Sequence, residues 1–295
     1  MENINFDEAK QSQLPFVEML INLGYRYISS DEISKERRED TSRFILKDTA
    51  FKYLKEINNR DEEIFSDNNI YDAIEELESI PLEGLIDTSK KVYGMIMPKT
   101  GGKTIKVFYN GKYESKSFKY IDFENIENND FSVTVEYKAT GRSNIRVDIA
   151  IFVNGIPFVL IENKKSAEPI NLALFQQNRN QGPEYCPKLF IYPQLLIGAN
   201  KDNFKYGTTG TLNKFYARWR EREMIEEEWK NRKTFKQKID DEIRDVISRP
   251  IDTLLYKQIL EDLNGATKGH KQKLKRLLTE QDKGVYGVLQ KERLL

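Results

Sequence analysis

Residues 146–164 read Arg-Val-Asp-Ile-Ala-Ile-Phe-Val-Asn-Gly-Ile-Pro-Phe-Val-Leu-Ile-Glu-Asn-Lys. Two apolar runs flank Asn154-Gly155, a pair suited to the two positive-φ positions of a tight hairpin turn. Asp148 stands at the start of the first run, and Glu162 and Lys164 close the second. Charged groups in apolar strands are costly unless they are paired or hold a metal. Three of them converging on one hairpin therefore read as a site. Register decides whether they can meet. A plain two-residue turn pairs Val153 with Ile156, sets Asp148 opposite Ile161, and sends Asp148 and Glu162 to opposite faces. A shared site demands a one-residue offset, from a longer loop or a bulge. Pro157 has no N–H to give the ladder and is the expected place for it.

The chemistry that suits two acids and a lysine is metal-dependent phosphodiester hydrolysis. The chain has one histidine, His270, so a site needing two or more histidines cannot be built from it. Carboxylates favour a hard cation, Mg²⁺, with Mn²⁺ as a substitute. Asp148 and Glu162 are the expected metal ligands, with the Asn163 carbonyl as a third oxygen. Lys164 is expected to position the attacking water and to stabilise charge building on the phosphorus centre. The bland alternative is a surface Asp148 beside a Glu162–Lys164 edge pair, which would contribute little.

Apolar periodicity predicts helices over about 12–24, 43–58, 69–80 and 171–181. Strands are expected at 25–28, 104–108 and 131–137, the last two as antiparallel strands feeding the hairpin, and at 189–192 and 195–198. Pro98 to Gly102 reads as a loop. Beyond about Asn213 the character changes to long charged amphipathic helices, at 215–229, 234–248, 251–263 and from 269. The expected class is α/β: a mixed central sheet flanked by helices, with a C-terminal helical extension. The expected domains are residues 1–212 and a helical linker over 213–295.

The 295 residues are 39% hydrophobic, enough for a sizeable core. No apolar run approaches a membrane span, the first ten residues lack a signal peptide's pattern, and Cys186 stands alone. The expectation is a cytoplasmic protein with no membrane partner. Residues 1–90 carry 11 Lys/Arg against 21 Asp/Glu, whereas residues 91–210 carry 16 against 11. That asymmetry would let a basic part meet phosphate and an acidic part meet another partner.

The 146–164 stretch resembles the nuclease signature of type I restriction enzyme R subunits, within the wider PD-(D/E)xK superfamily. The resemblance extends to residues 122–131, 192–197, 206–208 and 290–295. It implies Asp148, Glu162 and Lys164 as catalytic residues and a restriction-endonuclease-like core cutting unmodified double-stranded DNA. It also implies an acid on the first helix, mapped to Glu18, and a Gln-x3-Tyr element on the helix after the lysine. Here Gln176 and Gln177 are available, but Asn180 or Gln181 stands where tyrosine is usual. Arg179 with Gln177 could contact phosphate, and Arg146 and Lys165 are further candidates for DNA contact. The resemblance further implies an ATP-driven motor beyond this segment, modification and specificity subunits as partners, and S-adenosylmethionine only through the whole complex. A non-catalytic docking module and a stand-alone repair nuclease are the alternatives.

Other signals are weaker. Gly101-Gly-Lys-Thr104 suggests a phosphate-binding loop, but Met97 stands where its first glycine belongs. The basic run 268–276 has no interleaved aromatics and reads as a solvated helix face. Trp219 and Trp229 read as packing anchors, and Cys186 as an inert thiol.

Overall fold

The computed structural model describes residues 13–97, 102–165, 168–200, 203–218 and 251–264. The chain divides into two compact units: Arg26–Trp219, and the two ends Met1–Tyr25 with Arg220–Leu295. The end unit contains α1 (Leu14–Asn22), whose Leu14, Val17 and Leu20 are buried, and a helix over Thr253–Asn264 burying Tyr256, Ile259, Leu260 and Leu263. The helices expected over 234–248 and from 269, and all but the first residues of the one over 215–229, lie outside the described residues.

The larger unit is organised by a seven-stranded sheet in the order β1-β4-β5-β6-β7-β8-β9. Its strands are β1 (Arg26–Tyr27), β4 (Phe131–Thr140), β5 (Asn144–Val153), β6 (Ile156–Asn163), β7 (Leu195–Asn200), β8 (Asn203–Gly207) and β9 (Ala217–Arg218). β1 runs parallel to β4 and β6 parallel to β7, while the other neighbours are antiparallel. The sheet is therefore mixed, as the sequence predicts. Among the described residues four α-helices precede β4 in this unit: α2 (Ser30–Glu36), α3 (Lys47–Asn58), α4 (Asp67–Ser79) and α5 (Leu85–Ile96). Capping boxes start two of them, Ser29 with Glu32 and Ser66 with Asn69. Leu46, Ala50 and Leu54, with Ile70, Ile74 and Leu77 of α4, join Phe152 and Leu160 in one core. Each such large side chain contributes about 1.5–3 kcal/mol by leaving water.

Three expectations give way here. Residues 104–108 do not feed the central hairpin. They belong to β2 (Lys103–Tyr109), which forms a separate two-stranded sheet with β3 (Lys112–Phe118) around Asn110-Gly111, both at positive φ. Residues 189–192 are not a strand. Pro187 opens a 3-10 turn through Ile191, and the buried Leu189, Phe190 and Ile191 show that an apolar run alone does not distinguish a buried helix from a strand. Phe215 ends a short 3-10 turn, and Ala217–Arg218 pair with β8, so the helix expected from Phe215 does not begin there. Lys103 and Thr104 open a strand, which removes the helix that a phosphate-binding loop needs.

The Asn154-Gly155 turn is pinned from several sides. Asn154 Oδ1 accepts from the Asp130 amide at 2.8 Å, and its Nδ2 donates to the Tyr120 carbonyl and to Asn129 Oδ1, each at 2.9 Å. The Gly155 carbonyl accepts from the Leu46 amide at 2.9 Å, just before α3 begins. A Cβ on Gly155 would stand 2.5 Å from the Leu46 carbonyl oxygen, and φ there is +74°. Gly155→Ala is therefore expected to lower unfolding free energy by about 2 kcal/mol or more. A urea midpoint shifted to lower concentration at unchanged slope checks it.

Candidate active site

The offset that the sequence demands is present, and it lies in the strand rather than in the turn. Val153 pairs with Ile156 and Phe152 with Pro157, as a plain two-residue turn dictates. Beyond a bulge the pairs become Ile151 with Val159, Ala150 with Leu160 and Ile149 with Ile161, leaving Phe158 over. One further step of that register sets Asp148 across from Glu162. The bulge follows Pro157 directly, where the ladder lacks an N–H donor.

Asp148 is 7% exposed and Glu162 1%, and their carboxyl groups hydrogen-bond to each other. Asp148 Oδ2 also accepts from the Asn163 amide at 2.7 Å. Burial raises the pKa of Asp148, opposed by the Lys164 charge and the Asn163 N–H. Glu162 is held well above the usual carboxylate range, first by burial and then by the Asp148 charge, with Lys164 again opposing. Lys164 is half-buried just past β6, its amide bonded to the Ala199 carbonyl at 2.9 Å.

Helix α6 (Asn171–Asn180) lies over this part of the sheet. Gly198, the ladder partner of Glu162, permits the approach, because a Cβ there would stand 2.5 Å from Leu174 Cδ2. Gln176 Nε2 donates to Glu162 Oε2 at 2.6 Å, and Asn180 Nδ2 reaches Glu162 Oε1 at 3.4 Å. Asn180 thus occupies the tyrosine's place in the Gln-x3-Tyr spacing and touches the acid. Gln177 faces the sheet instead. It is 1% exposed and donates to the carbonyls of Leu160 at 3.1 Å and Ile197 at 2.6 Å, joining two parallel strands. Both its amide hydrogens are committed there, so phosphate contact is not its role. Arg179 is exposed, bonded to Asn180 Oδ1 and set over the Tyr185 ring, with its charge favouring ionised Glu162.

Arg146 pairs with Glu136 of β4 at 2.5 Å, and no local signal in the sequence marks Glu136. Lys165 is half-buried beside Lys164. Glu18 is buried on α1, in the other unit. Cys186 is fully buried and its thiol is pushed up to about 11, consistent with an inert role.

Among the described residues no three His, Cys, Asp or Glu side chains gather as a metal cluster. The oxygens at hand are those of the two buried carboxylates of Asp148 and Glu162, with Lys164 two residues beyond Glu162. Two adjacent buried carboxyls whose proton affinities are both raised are short of positive charge, and hard oxygen donors of this kind fit a Mg²⁺ or Mn²⁺ ion.

The family model described as "Type I restriction enzyme R protein N terminus" matches residues 5–215. The chain is similar to two proteins of Methanocaldococcus jannaschii named putative type I restriction enzyme endonuclease subunits, MjaIXP and MjaVIIIP. MjaIXP is 30% identical over 68% of this chain and 19% of its own length. MjaVIIIP is 33% identical over 61% of this chain and 16% of its own. The Escherichia coli type I restriction enzyme EcoprrI endonuclease subunit is 27% identical over 43% of this chain and 38% of its own length. The chain thus spans 19% or less of the two archaeal relatives.

The raised Glu162 pKa sets a pH dependence. The unfolded acid ionises near its ordinary value while the folded one stays protonated, so in metal-free buffer stability falls as pH rises between the two. Glu162→Gln, which cannot ionise, is expected to melt at a higher temperature than the parent at pH 8. The gap should shrink toward pH 4, and thermal melts across that range in chelator check it.

Proposed function

Because the chain belongs to the family of type I restriction enzyme R protein N termini, we propose that it is the endonuclease domain of such a subunit, hydrolysing phosphodiester bonds of unmodified double-stranded DNA with Mg²⁺. The supporting observation is the bulge after Pro157, which aligns buried Asp148 with Glu162, two residues before Lys164. Asp148, Glu162 and the Asn163 carbonyl would hold the ion, and Gln176 with Asn180 would fix the Glu162 carboxylate. The bound ion would acidify a water and offset phosphate charge. Lys164 would orient the attacking water and stabilise the charge that develops on the phosphate. Arg146, Arg179 and Lys165 supply positive charge for the DNA backbone.

The rest of the subunit would contribute ATP-driven translocation. Modification and specificity subunits would select the DNA and bring S-adenosylmethionine, and the assembly would work in the cytoplasm. The expected domain division is a nuclease over residues 1–212 and a helical connection over 213–295 toward the motor. No helix among the described residues is long and apolar enough to cross a membrane.

In the full-length subunit assembled with its partners, Asp148→Ala and Lys164→Ala are each expected to reduce cleavage of unmodified plasmid at least about 100-fold. ATP hydrolysis should persist. Cleavage at the parent rate by either variant would refute the assignment.

A further inference from the structure

Glu136 has a φ of +54° inside a central strand, a conformation that costs a non-glycine residue about 1–2 kcal/mol. The pairs on either side, Val135 with Ile149 and Tyr137 with Val147, set Glu136 across from Asp148, and the ladder is interrupted at that step. The kink also re-aims the next side chain. Tyr137 pairs with Val147, yet its ring meets Phe152 at 5.4 Å, on the face that uninterrupted alternation would deny it.

Glu136 places Oε2 2.5 Å from Arg146 Nε, with side-chain exposures of 10% for Glu136 and 42% for Arg146. Arg146 stands two residues before Asp148 on β5, and its charge acts on the Asp148 carboxyl. A guanidinium there is a natural bidentate partner for that carboxylate. Such a pair would occupy the oxygens that a divalent cation needs, and it would put a positive charge beside the ion.

We infer that Glu136 is a positioning residue: its kinked backbone and its ion pair hold Arg146 away from Asp148, keep the Asp148–Glu162 site open to a divalent cation, and leave the guanidinium available to a DNA phosphate. This rests on the cation reading of Asp148 and Glu162. A bulge beside a reactive centre commonly serves to re-aim a side chain, and here the residue at the kink carries the restraining charge itself.

Calorimetric titration of the 295-residue chain with Mn²⁺ tests it without reference to cleavage. The parent is expected to bind, and Asp148→Ala to abolish binding. Glu136→Gln should weaken the Kd by about 10- to 100-fold. Adding Arg146→Gln to Glu136→Gln should restore it to within a few-fold of the parent, a rescue that a purely structural role for Glu136 does not produce. If Glu136→Gln fails to fold, Glu136→Gly, which accepts the positive φ without strain, gives the same readout. Unchanged Mn²⁺ affinity in a folded Glu136 variant overturns the inference alone. So does a loss that Arg146→Gln fails to repair. Absence of Mn²⁺ binding by the parent overturns both the inference and the cation reading beneath it.

Discussion

The site depends on one extra residue in one strand. Without the bulge at Phe158, Asp148 would face Ile161 and Glu162 would face Val147, and the two acids would point to opposite sides of the sheet. With it, they share a face and a hydrogen bond. The bulge is tolerated because Pro157 has no N–H to lose from the ladder, and because the turn beyond it is anchored. Asn154 bonds three partners and Gly155 sits against the start of α3. The helix-rich N-terminal part of the larger unit thus holds the turn end of a hairpin whose other end carries Asp148, Glu162 and Lys164.

Burial then sets the electrostatics. Burial raises the proton affinity of both carboxyls, the Asp148 charge raises that of Glu162 further, and Lys164 only partly compensates. That arrangement is unfavourable for stability, and under the proposed reading a bound cation would relieve it. The surrounding contacts are directed at orientation. Gln176 and Asn180 approach Glu162 from α6, Gly198 lets that helix come close, and Gln177 ties the strands beneath.

Much of this is legible in the sequence. Asp148, Glu162 and Lys164 stand out because charges in apolar strands need a reason, and strand alternation turns their spacing into a demand for a one-residue shift near Pro157. The mixed α/β class emerges from the order of periodic segments. The features that are not legible depend on contacts distant in sequence. Nothing local marks Glu136, since its positive φ and its pairing with Arg146 arise only when β4 lies beside β5. Asn180 is visible only as a departure from a tyrosine, and its contact with Glu162 needs the position of α6. Residues 189–192 mislead because their burial is complete on all sides, and residues 104–108 because their partner strand lies in the less apolar run 112–118.

The most direct measurement of the central claim is anomalous diffraction from a crystal of the chain soaked in Mn²⁺. A peak is expected between the Asp148 and Glu162 carboxylates, within coordination distance of the Asn163 carbonyl, with Arg146 still paired to Glu136. Density showing the two carboxylates on opposite faces of the sheet, or a soaked crystal with no Mn²⁺ between them, would contradict it.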